Sequence, residues 1–94
     1  MPDIKYQPVE WLNQVISVTS FGKRFESANT IVFTNQGTQA VTIDGNLQIQ
    51  PGQGFTYECY PGEINVHGYD IVFTNDQAAG CRLLVTIKLY SVKE

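Results

Sequence analysis

Ile31-Val32-Phe33-Thr34-Asn35 returns as Ile71-Val72-Phe73-Thr74-Asn75. Each copy runs through a loop into one shared tripeptide, Val41-Thr42-Ile43 and Val85-Thr86-Ile87. β-Branched and aromatic side chains alternate with threonine, the pattern of strands that bury one face. The direct reading is one β-hairpin written twice, residues 31–43 and 71–87, with a longer loop in the second copy. The chain is therefore expected to be a small all-β domain assembled from similar units.

Turn chemistry divides the rest of the chain. Asp44-Gly45 suits a type I′ turn, whose two central residues both need positive φ. Leu47-Gln48-Ile49-Gln50 alternates strictly, and Pro51-Gly52 then has the signature of a type II turn. Phe55-Thr56-Tyr57-Glu58-Cys59 alternates again, Pro61-Gly62 turns the chain, and Ile64-Asn65-Val66 reads as a short strand. Upstream, residues 15–19 read as a strand and residues 21–25 as a turn or loop. Residues 1–12, with Pro2, Tyr6, Pro8 and Trp11, read as an extended N-terminal arm on a sandwich domain of residues 13–94. Residues 10–18 place apolar side chains at 11, 12, 15, 16 and 18, which also fits a short helix. Seven to eight strands separated by turns predict a single antiparallel β-sandwich, immunoglobulin-like or jelly-roll-like.

Alternation assigns a core of Ile31, Phe33, Val41, Ile43, Leu47, Ile49, Phe55, Tyr57, Ile64, Val66, Ile71, Phe73, Leu83, Val85, Ile87 and Leu89. Fully burying each such side chain is worth roughly 1.5–3 kcal/mol. The opposite face then carries Val32, Val72, Leu84 and Tyr90, apolar where a solitary sandwich would be polar. The two valines recur at one position of the repeat. Either the register is reversed locally, or that face is covered by the N-terminal arm or by a neighbouring subunit; on the last reading Val32, Val72, Leu84 and Tyr90, with Tyr6 and Trp11, are the candidate interface residues.

Composition narrows the function classes. Ninety-four residues make one domain with a thin core. The charged fraction is 16%, below the usual quarter, while fourteen Asn and Gln outnumber nine Asp and Glu. A surface of neutral amides costs less to desolvate than a charged one and suits packing against neighbours. A β-protein that favours Thr over Lys and Glu would look the same. Net charge is −3, and the six Lys and Arg form no basic stripe, which argues against nucleic acid. No apolar run approaches the ~20 residues of a membrane span. Residues 1–5 lack the charged and apolar regions of a signal peptide, so synthesis and retention on the cytoplasmic side, or release by lysis, is the expectation. Cys59 and Cys81 are then expected as free thiols.

No motif carries a catalytic signature. His67 is the only histidine, and no spacing brings Cys59 or Cys81 to it as a nucleophile. A turn histidine beside Gly68 is the plainer reading. With one His and no C-x-x-C, no metal or other cofactor is expected. Asp44, Glu63, Asp70 and Asp76 lack calcium-loop spacing and read as solvated turn carboxylates. Gly52-x-Gly54 precedes no helix and is no phosphate loop. Trp11, Tyr6, Tyr60 and Tyr90 would serve either as core or interface aromatics or as a sugar-stacking platform.

The run from Phe33 to Ile43, followed by Leu47-x-Ile49-x-Pro51-Gly52-x-x-Phe55-x-Tyr57, resembles a phrase common in immunoglobulin-like sandwiches. It covers about a quarter of the chain. The paired cysteines and central Trp of antibody domains are missing, since Trp11 lies too early. In size, amide-rich strands and leaderless start the chain also resembles small all-β structural proteins of tailed-phage virions. That resemblance implies a non-enzymatic subunit of a capsid decoration, head fibre or tail, assembled in the host cytoplasm, with other protein subunits as partners. It carries over no individual functional residue. The alternative is a small carbohydrate- or ligand-binding module.

Overall fold

In the computed structural model residues 9–75 and 79–90 are described, with the side chains of Val9 and Tyr90 outside that set. Eight strands follow in order: β1 (Val9–Ile16), β2 (Ser20–Lys23), β3 (Ala28–Asn35), β4 (Val41–Ile43), β5 (Leu47–Ile49), β6 (Gly54–Glu58), β7 (Tyr69–Phe73) and β8 (Leu83–Tyr90). They form two four-stranded sheets, β1-β8-β3-β6 and β2-β7-β4-β5. All pairings are antiparallel, and β1–β8, β2–β7, β3–β6 and β4–β5 nest one inside the next. This nested order is the jelly roll, the second of the two sandwich types expected. No described residue is helical.

The repeat is real, but neither copy is a hairpin. β3 pairs with β8 and β6, and β4 pairs with β7 and β5. Each copy is an arch that begins in one sheet and ends in the other. The partner of each repeated strand is the other copy's tripeptide. Ile31, Val32 and Phe33 oppose Ile87, Thr86 and Val85. Ile71, Val72 and Phe73 oppose Ile43, Thr42 and Val41. The two sets are the same three pairs, so a pseudo-two-fold axis exchanges the copies and the sheets. A hairpin would place Ile31 and Ile43 side by side; the arch sets them on facing sheets. Strict alternation satisfies both arrangements, because either one buries every second residue.

The arch of residues 36–40 is fixed by Asn35, which is 1% exposed. Its amide nitrogen donates to the Gln39 and Ile49 carbonyls at 2.6 and 3.0 Å, and its oxygen accepts the Gly37 N–H at 2.9 Å. The two arch loops continue the β3–β8 ladder, with Gln36 N–H on the Arg82 carbonyl and Thr38 N–H on the Gly80 carbonyl, both 2.9 Å. Gly37 is required there, because a Cβ would overlap the Gly80 carbonyl oxygen.

Ten of the sixteen expected core residues are buried, from Ile31 and Phe33 through Ile87. Leu47, Tyr57 and Leu89 pack against that core half-buried. Phe55, Ile64 and Val66 are exposed, contrary to expectation. Phe55 shares the inward row of Phe33, but edge strand β6 overhangs the facing sheet. Ile64 and Val66 belong to no strand. That segment crosses between sheets, tied by Asn65 N–H to the Ala28 carbonyl at 2.7 Å and by the Asn65 amide to the Tyr69 hydroxyl at 2.6 Å. The Asn29 amide holds the preceding turn through the Tyr60 and Glu63 carbonyls. Phe25, Ala28, Ile16 and Tyr69 complete the core. Phe33 meets Tyr69 edge-on across the interior, ring centroids 5.4 Å apart.

Four local readings change or sharpen. Residues 9–12 of the expected arm are the first half of β1, and residues 1–8 lie outside the described set. Residues 15–19 span the end of β1 and the bend into β2, while residues 20–23 are strand rather than loop. The apolar positions 11, 12, 15 and 16 belong to strand β1, which exposes Trp11, Leu12 and Val15 and buries Ile16, and Val18 sits at the bend that follows; none is helical. Asp44 and Gly45 have φ of 54° and 75°, as type I′ requires, and Asn46 N–H closes the turn on the Ile43 carbonyl at 3.3 Å.

Candidate functional site

The register places the expected interface residues. Directly opposed strand residues share a face. Trp11 opposes Lys88, Val15 opposes Leu84, and Val32 opposes Thr86, so Trp11, Val15, Leu84 and Val32 share the outer face of the β1-β8-β3-β6 sheet. Leu84 and Val32 are half-buried. Tyr90 pairs with Val9 through its backbone at the end of β8. Its side chain and all of Tyr6 lie outside the described residues. Val72 is half-buried on the outer face of the other sheet, because the pseudo-dyad sends equivalent residues to opposite sides. One flat partner therefore cannot cover both valines.

The larger apolar exposure lies on strand β1 itself. Trp11 is 55% exposed, and Leu12 and Val15 are each 46% exposed; Val18 and Phe21 extend the strip around the bend. Leu12, Val15, Val18 and Phe21 were not among the expected interface residues. For Leu12 and Val15 the signal is the broken alternation of residues 11–16, since a strand apolar on both faces has no period of two.

Edge geometry singles out the same strand. Isolated edges invite pairing by other chains, and proteins blunt them with short strands, bulges, Lys or Pro. β5 has three residues and runs into Pro51. β2 is interrupted between Ser20 and Lys23, with Gly22 at φ 65° and Lys23 at its end. β6 begins at Gly54, ends at Glu58 and leads into the Pro61 turn. β1 runs eight residues in unbroken register against β8, contains no Pro or Lys, and carries Glu10 as its one charged residue. Among the described residues no strand pairs with its outer side.

A polar cluster closes one end of the sandwich. His67 Nε2 lies 2.8 Å from Asp44 Oδ2. Asp44 Oδ1 accepts the Asp70 N–H, and Asp70 Oδ1 accepts the Gly22 N–H, both at 2.9 Å. Partial burial pushes the Asp44 carboxyl up, but the Asp70 N–H and the His67 hydrogen bond and charge together hold it below the usual aspartate range. The His67 ring packs edge-on against Tyr69 at 4.6 Å. Burial also raises the Tyr57 and Tyr69 phenols, with Asp44 adding to both. Sequence spacing gave no hint of the His67–Asp44 pair; the β4–β5 turn and the approach to β7 bring it together. Among the described residues no serine or cysteine hydrogen-bonds to His67, and the cluster ties the β4–β5 turn, β7 and β2 to one another. No group of three or more His, Cys, Asp or Glu side chains among the described residues could hold a metal ion.

The opposite long side is a cleft of about 390 Å³ between β5 and β6, lined by Leu47, Gln48, Ile49, Gln53, Gly54 and Phe55. Phe55 is 41% exposed there and packs on Tyr57 at 4.9 Å. Tyr60 lies beyond β6, on the far edge of the sheet from Trp11, at least about 14 Å away at the usual strand spacing. The two therefore form no common stacking platform. Cys59 and Cys81 are half-buried free thiols. No family model, no curated protein and no solved structure matches this chain.

Proposed function

We propose that this chain is a non-enzymatic structural subunit of a larger protein assembly, of the kind found in phage particles as decoration, head-fibre or tail components. The observation that carries the reading is the long, unbroken and apolar edge strand β1. The other three edges are short, bulged or bounded by Gly and Pro, while β1 keeps one register over eight residues, carries Glu10 and the preceding Pro8 as its only such features, and exposes Trp11, Leu12 and Val15. An edge of this kind is a liability unless a partner strand occupies it. The jelly roll itself does not choose between roles, because it hosts capsid subunits and lectins alike. The low-charge, amide-rich surface is the second support.

The test is the native mass of the protein recovered from its source. A species heavier than one 10.5 kDa chain supports the reading. Trp11→Lys with Val15→Lys, which places two gatekeeper charges on the edge, should release the subunit while leaving the β-sheet circular dichroism unchanged. The β5–β6 cleft favours a second reading, a carbohydrate-binding module in which Phe55 stacks on a sugar between Gln48 and Gln53. A strict monomer whose glycan binding is lost in Phe55→Ala would replace the first reading by the second.

A further inference from the structure

Resting on the assembly reading, we infer that the partner on β1 is a second copy of the same strand, joined antiparallel about a two-fold axis at Asn13. The edge offers about 27 Å of continuous backbone, eight residues at ~3.4 Å each. A two-fold perpendicular to the sheet keeps outer faces together, so paired residue numbers must sum to an even value. Centring the axis on Asn13 sets Trp11 opposite the partner's Val15, and by symmetry Val15 opposite the partner's Trp11. The two largest exposed apolar side chains on the outer face of β1 thus cover each other twice. Aromatic–β-branched pairs are among the favourable cross-strand contacts. Leu84, beside Val15, extends the apolar patch on each copy.

The centre of the strand is prepared for this pairing. Asn13 Oδ1 accepts the Thr86 hydroxyl at 2.8 Å, which fixes which way the amide points. Its nitrogen then has donors for the partner's Asn13, and an amide oxygen can accept a second hydrogen bond. No like charges meet, since Glu10 falls opposite the partner's Ile16 rather than its own symmetry mate. The product is one eight-stranded sheet crossing both subunits.

Cysteine placement tests the axis. At the centre of an antiparallel pair a residue opposes itself with Cα atoms about 4.5–5.5 Å apart, within the 4.4–6.8 Å that a disulfide spans. In a Cys59→Ser/Cys81→Ser background, Asn13→Cys should oxidise to a covalent dimer on non-reducing electrophoresis. Leu12→Cys and Gln14→Cys should stay monomeric under the same oxidant. The unsubstituted protein should show a concentration-dependent dimer by light scattering, lost in Trp11→Lys with Val15→Lys. A monomer at every concentration, no cross-link at Asn13, or equal cross-linking at all three positions overturns the inference. If the purified chain is monomeric yet co-sediments with a larger particle from its source, the self-pairing fails and the assembly reading stands. A monomer that binds glycans removes both.

Discussion

Asn35→Ala and Asn75→Ala remove the same residue from the two copies of one pentapeptide, and the fold assigns them unequal consequences. The Asn35 side chain makes three hydrogen bonds, to the Gln39 carbonyl, the Ile49 carbonyl and the Gly37 N–H. It is almost wholly buried, so water cannot readily replace them. At about 1 kcal/mol net for each bond, Asn35→Ala should cost about 3 kcal/mol. The Asn75 side chain is exposed, and among the described residues it makes no hydrogen bond; only its backbone is engaged, the N–H donating to Gln39 Oε1 at 2.7 Å and the carbonyl accepting the Cys81 thiol at 3.2 Å. Asn75→Ala should stay within about 0.5 kcal/mol. For a domain of this size 1 kcal/mol moves Tm by about 4–8 °C, so the expected drops are about 12–24 °C and about 2–4 °C. Thermal unfolding followed by circular dichroism reads both, and urea titration should show the loss in the midpoint with an unchanged slope. Equal shifts would refute the unequal anchoring of the two arches by their asparagines.

Gly37→Ala should destabilise by more than about 2 kcal/mol, because its Cβ meets the Gly80 carbonyl and the Arg82 N–H, backbone groups that cannot move without breaking the ladder. Gly45→Ala meets open space and should cost only about 1 kcal/mol for a Cβ at φ 75°; denaturant midpoints of the two variants check the order. The lowered Asp44 carboxyl contributes stability above the ordinary aspartate pKa of about 3.9, and that contribution is lost as pH falls through the folded value. The difference in Tm between the native chain and Asp44→Asn should therefore shrink below about pH 4; a constant difference down to pH 2 would exclude the linkage. Thiol labelling under non-reducing denaturing conditions should consume two equivalents, for Cys59 and Cys81; zero would mean a disulfide.

Residue order alone fixed the all-β class, most of the strands, the repeat, the Asp44-Gly45 turn and ten buried core positions. These are local matters: alternation, β-branching and the need for positive φ act over a few residues. Sequence could not decide whether Ile31 lies beside Ile43 or across from it, because hairpin and arch bury the same alternate positions. The pairing of each copy's strand with the other copy's tripeptide decided it; Asn35 then holds the first arch through bonds to Gly37, Gln39 and Ile49 that a pentapeptide shared with Asn75 does not announce. Val32 and Val72 looked like one outward face until the pseudo-dyad separated them onto two. Likewise the mixed pattern of residues 10–18 resembled a helix, since a strand apolar on both faces has no period of two. Its exposure arises only where the sheets end, because β1 overhangs as an edge that nothing among the described residues covers.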